Sequence, residues 1–68
     1  MMYVLEVGSG SERIAHGRLF SPLQRRVRKL RHRGRYSGKQ WMISELYDNG
    51  DKLARDSGMI PKQTKETT

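Results

Sequence analysis

Eight cationic side chains, Arg25, Arg26, Arg28, Lys29, Arg31, Arg33, Arg35 and Lys39, fall within fifteen residues that contain no acid. Six of them are arginine. A guanidinium donates hydrogen bonds in a rigid planar fork that matches phosphate oxygens and guanine edges, so such a run is suited to gripping a polyanion. The rest of the chain is close to neutral. Residues 1–24 carry no net charge and residues 40–68 carry −1, so the whole formal excess of +7 lies in residues 25–39.

Other chemistry is thinly represented. There is no cysteine, hence no disulfide framework, thiol nucleophile or thiolate-held zinc. The two histidines, His16 and His32, would need scattered carboxylates to complete a metal site, so neither metal nor cofactor is expected. His16 could act as a base beside Ser9 or Ser11, but no carboxylate is placed to orient it. Its plainer reading is a half-exposed strand position. Asp48, Asp51 and Asp56 cluster around a turn, where turn chemistry and charge balance account for them. The expectation is a binding protein, not an enzyme.

A chain of 68 residues with 34% hydrophobic content supports one small domain, assigned to residues 1–60. Residues 61–68 lack apolar side chains and read as a disordered tail. No apolar run approaches the roughly 20 residues that span a bilayer. Residues 1–7 contain Glu6 and no basic residue, which does not read as a secretory leader, so a cytoplasmic setting is expected. A core this lean makes a homodimer possible.

The elements that must carry the cations can be read in order. Tyr3-Val4-Leu5-Glu6-Val7 has strand composition, and Gly8-Ser9-Gly10-Ser11 turns the chain back. Residues 13–20 return antiparallel, with Gly17 marking a weak point or bulge. Ser21-Pro22-Leu23-Gln24 places a capping serine before a proline and a glutamine three residues on, the opening of a helix over residues 22–33. Leu23, Val27 and Leu30 then recur as one apolar stripe, and Gly34 can end the helix in the left-handed conformation. Asp48-Asn49-Gly50-Asp51 signals a type I′ hairpin in which Leu46 faces Leu53, Tyr47 faces Lys52 and Ser44 faces Arg55. A competing reading makes residues 38–47 a second helix after Ser37-Gly38-Lys39-Gln40. The assembled fold is α+β, ββαββ, with the stripe packed on Val4, Ile14, Trp41, Ile43 and Leu46 of a small antiparallel sheet.

On such a helix the stripe faces inward, Arg25, Arg28, Lys29 and His32 fall opposite, and Arg26, Arg31 and Arg33 flank it. Five like-charge pairs at three- and four-residue spacing cost about 0.2–0.5 kcal/mol each, roughly 1–2.5 kcal/mol together. No glutamate is interleaved to offset them. An anionic partner would relieve that repulsion. In composition, residues 25–35 resemble the arginine-rich helices that enter RNA grooves. Tyr36, between Arg35 and Lys39, could stack on an unpaired base or pack on the helix end. The Ser37-Gly38-Lys39 turn could offer backbone N–H groups to a phosphate, and Trp41 is read as a core anchor.

The expected function is therefore nucleic-acid binding, to DNA or RNA. Arg25, Arg28, Lys29, Arg31, Arg33 and Arg35 would contact phosphates, with Tyr36 and Lys39 as auxiliaries. The alternative is an interaction or inhibitor protein, phage-like in size, that docks the same helix on an acidic protein surface.

Overall fold

The computed structural model describes residues 1–62; the remainder of the expected disordered tail lies outside them. Four antiparallel strands, β1 (Met2–Val7), β2 (Glu12–Gly17), β3 (Gln40–Leu46) and β4 (Lys52–Met59), form one sheet in the order β2-β1-β3-β4. An α-helix, α1 (Phe20–Leu30), and a 3₁₀ turn (Gly34–Tyr36) connect β2 to β3. This is the expected ββαββ arrangement, and residues 40–46 are a strand, not a second helix.

The helix lies over β1 and β2, and among the described residues no helix covers the opposite, open face of the sheet. Alternation assigns the faces. Tyr3, Leu5 and Val7 of β1 stand beside Glu45, Ile43 and Trp41 of β3 on the helix side. Leu5, Val7, Ile43, Leu23, Leu30, Tyr36 and Ile60 form the buried core, with Ile14, Ala15, Phe20, Val27 and Trp41 packed around it. Each fully buried leucine contributes about 1.5–3 kcal/mol, so the α1 stripe is a large part of what holds the helix down. Val4 and Leu46 point the other way, so they do not meet the helix as expected. Val4 is nonetheless fully buried.

A bulge lets β2 contribute two neighbouring residues to one face. Leu5 pairs with Ala15 and Glu6 with Arg13, leaving Ile14 as the extra residue. Both Ile14 and Ala15 consequently pack on the core. The irregularity sits here, and Gly17 simply ends the strand.

The helix starts earlier and stops sooner than its sequence suggests. Its N-cap is Leu19, with extended backbone and no side-chain cap, and Ser21 is already helical. Phe20 is drawn into the first turn by an edge-to-face contact with Tyr3, ring centroids 5.4 Å apart. Pro22 remains in that turn because the N–H groups there have no intrahelical partner to lose. At the other end, His32 N–H donates to Lys29 O and Arg33 N–H to Leu30 O, tightening the chain into the 3₁₀ turn. Gly34 does not adopt the left-handed conformation; Gly8, Gly38 and Gly50 do.

The second hairpin is placed as expected but shifted by one residue. Leu46 pairs with Lys52, Glu45 with Leu53 and Ser44 with Ala54. Within this loop only Gly50 has positive φ (92°), and Asn49 does not. Gly50 N–H donates to Tyr47 O, and Tyr47 N–H donates to Asp51 O. This is the three-residue loop built on a type I turn and a glycine bulge, which needs one left-handed residue where type I′ needs two. Asn49 Oδ1 accepts from Asp51 N–H and holds the loop.

Candidate nucleic-acid interface

Arg25, Arg28 and Lys29 project from α1 into solvent, and Arg26 beside them is exposed as well. Arg31 and Arg33 follow in the tightened turn, equally exposed. Leu23 and Leu30 fix this orientation: their burial turns the opposite side of the helix outward. Arg28 and Lys29 stand in the last helical turn, where cations are favoured by the helix dipole. The first turn holds no acid.

Among the described residues the ion pairs are Arg35–Glu12, Lys52–Glu6 and Arg55–Glu45. Of the eight clustered cations, Arg35 alone is tied to a carboxylate of the described residues. The acids that could have neutralised the ridge are occupied elsewhere or distant from it. Glu45 accepts from the Tyr47 hydroxyl and holds Arg55 Nε at 2.9 Å. Asp51 accepts from Asn49. Both Asp48 and Asp51 lie in the β3–β4 loop, at the end of β3 opposite the 3₁₀ turn.

Arg35 is a special case. Its guanidinium lies 4.9 Å from the centroid of the Tyr36 ring and 3.2 Å from Glu12 Oε2, both charged partners being well exposed. Tyr36 itself is 8% exposed and belongs to the core. The structure thus corrects the stacking role: Tyr36 supports Arg35 from beneath and does not offer an open ring face. The turn after it is corrected in the same way. Ser37, Gly38 and Lys39 donate their backbone N–H groups to Gly34 O, Ile60 O and Tyr36 O, which leaves none for a phosphate.

Lys39 remains exposed, its stem running past Gly8. Lys62 joins it: its Cγ lies 3.3 Å from where a Cβ on Gly38 would stand. In the sequence Lys62 sits in an apparent tail, with nothing beside it to mark its place. Its place follows from Ile60, which is buried and pairs with Lys39 through Ile60 N–H to Lys39 O. Trp41 is partly buried, with its indole over Gly58. His16 pairs with Val4 near the end of β2, away from Ser9 and Ser11 in the hairpin turn. Among the described residues no three His, Asp or Glu side chains are grouped to hold a metal, and no helix is long and apolar enough to cross a membrane. Comparison with protein-family models, curated proteins and solved structures returns no match to this chain.

Proposed function

We propose that the chain is a small nucleic-acid-binding module that grips phosphates through Arg25, Arg28, Lys29, Arg31 and Arg33, with Arg35 and Lys39 extending the track. One observation carries this reading. Among the described residues these cations, Arg35 apart, have no carboxylate partner, and all of them are exposed to solvent. Their repulsion is left unrelieved inside the molecule, and a phosphate backbone relieves it. About six neutralised phosphates give a slope of log K against log salt near −5 on duplex DNA. Fluorescence anisotropy with labelled duplex across a salt series measures it. A slope shallower than about −2 overturns the idea that the ridge as a whole grips a backbone.

A second reading, docking on an acidic protein surface, draws on Leu19, 68% exposed just before α1. Interfaces between proteins need apolar anchors beside their arginines. Affinity capture with and without nuclease separates the two: loss of all captured material after nuclease favours nucleic acid, and a stoichiometric protein that survives it favours the alternative.

A further inference from the structure

The outer half of the sheet has no helix over it, and apolar side chains gather there. Met42, Leu53 and Met59 are 42%, 49% and 61% exposed. The last two belong to β4, an eight-residue strand that has a neighbour on one side only among the described residues.

The pattern along β4 is self-complementary. A bulge between its pairings with Ile43 and Ser44 makes Arg55 an extra residue. Lys52, Ala54, Ser57 and Met59 oppose open-face residues of β3, while Leu53, Asp56 and Gly58 oppose helix-side residues. Arg55 also reaches the helix side, where it holds Glu45. An unbroken strand paired antiparallel with its own copy matches faces only when a residue opposes itself or one an even step away. The bulge changes that rule. It makes the register that sets Arg55 against Asp56 of a second copy the one in which all eight residues meet a partner on the same face.

We propose that the chain forms a homodimer through β4, two copies pairing antiparallel about a twofold axis between Arg55 and Asp56. At the axis, Arg55 of each copy meets Asp56 of the other, giving two reciprocal ion pairs. Leu53 falls opposite Gly58 of the second copy, whose missing Cβ leaves the Trp41 indole within reach. Met59 falls opposite Lys52 of the second copy, the outermost pair of the match. A bulge in an edge strand ordinarily discourages pairing, but here two bulges coincide at the axis and their charges are opposite. Neighbouring registers lose this match: moving the axis onto Arg55 sets guanidinium against guanidinium, and moving it onto Asp56 sets carboxylate against carboxylate. The axis stands perpendicular to the sheet, so both α1 helices lie on one side. Six strand spacings of about 4.8 Å place them roughly 29 Å apart. This dimer does not depend on what α1 binds.

Light scattering on the full chain, from micromolar to near-millimolar concentration, reads the mass directly. It should rise from 7.9 kDa to twice that value. Asp56→Arg and Arg55→Asp should each weaken the dimer by at least about tenfold through like-charge repulsion. An equimolar mixture of the two variants should recover a heterodimer, because each then supplies the charge that the other needs. Trp41, the only tryptophan, should shift its emission to the blue as the dimer forms. Leu53→Ala, at an exposed site that leaves the fold intact, should weaken that shift, and this carries the test should either charge variant lose its native circular dichroism. A wild-type mass that stays at 7.9 kDa throughout overturns the proposal. So does failure of the folded variants to combine, or a Trp41 shift indifferent to Leu53→Ala.

Discussion

Lys52 Nζ of β4 lies 2.8 Å from Glu6 Oε2 of β1, and the two side chains meet across the strand between them. Glu6 pairs with Met42 and Lys52 with Leu46, so the line joining them passes over Ser44. Ser44 is 1% exposed and its neighbour Val4 is fully buried, although no helix covers that face. A lysine stem reaching from β4 to Glu6 of β1 has to cross this buried patch, which makes it the natural cover. Lys52→Ala should therefore cost about 1 kcal/mol, combining a half-exposed ion pair with lost apolar cover. Lys52→Met keeps the stem and should retain more than half of that stability. Thermal unfolding checks both, since about 1 kcal/mol moves the midpoint by about 4–8 °C in a domain of this size. Equal losses in the two variants would mean that the charge alone matters.

Tyr47 should make the protein less stable in alkali. Its hydroxyl donates to Glu45, and this bond, then partial burial and the carboxylate's charge, raise its pKa above 10.0. The folded state thus holds the proton to higher pH than the unfolded chain does. Stability from this group is complete below pH 10 and falls as pH rises from there through the folded-state value. Tyr47→Phe removes the titration, so its denaturation midpoint should decline less steeply above pH 10 than that of the wild type. Parallel declines in the two proteins would show that the bond contributes nothing.

Gly58 stands under the Trp41 ring, and a Cβ there would lie 3.0 Å from Cζ2 and Nε1. A flat indole held against the core cannot yield easily. Gly58→Ala should destabilise the chain by about 1–3 kcal/mol and shift Trp41 emission, whereas Gly10→Ala, which meets nothing within 4 Å, should leave both unchanged.

Local pattern made much of this fold legible. The spacing of Leu23, Val27 and Leu30 reports a helix face whatever surrounds it, and Asn49-Gly50 marks a reversal. The register of that reversal was not legible, because it depends on how many residues take positive φ, and only Gly50 does. Tyr36 is flanked by cations and so reads as surface. What buries it is a 3₁₀ turn whose closing bonds are made by backbone atoms of any sequence. The Lys52–Glu6 cover joins residues 46 positions apart, and composition holds no trace of such a pair. On the candidate interface, the charge count was plain in the sequence, but which arginine is already paired was not.

Glu12 should restrain the interface that it adjoins. It holds Arg35 at 3.2 Å and is the only acid paired with the ridge among the described residues. Glu12→Gln removes a negative charge and frees Arg35, still positioned over Tyr36. Affinity for duplex should rise by about twofold to fivefold, and the salt slope should steepen by about 1. Anisotropy titrations at three salt concentrations decide the matter; an unchanged slope would remove Arg35 from the phosphate track.

The sharpest consequence of the ridge is an opposition between stability and binding at Arg25. This residue repels Arg28 three positions on and Lys29 four positions on, and all three are exposed. Arg25→Glu converts both contacts to attraction in the favourable order, acid before base, so the free protein should gain about 1 kcal/mol. High salt should shrink that gain, because these charges are solvated. The same change removes one phosphate contact and adds a repulsive charge, so duplex affinity should fall and the salt slope should flatten by about 1. Denaturant titration and anisotropy on one variant read the two effects separately. A structural helix would give the stability gain without the loss of binding, and a cation already neutralised within the chain would give neither.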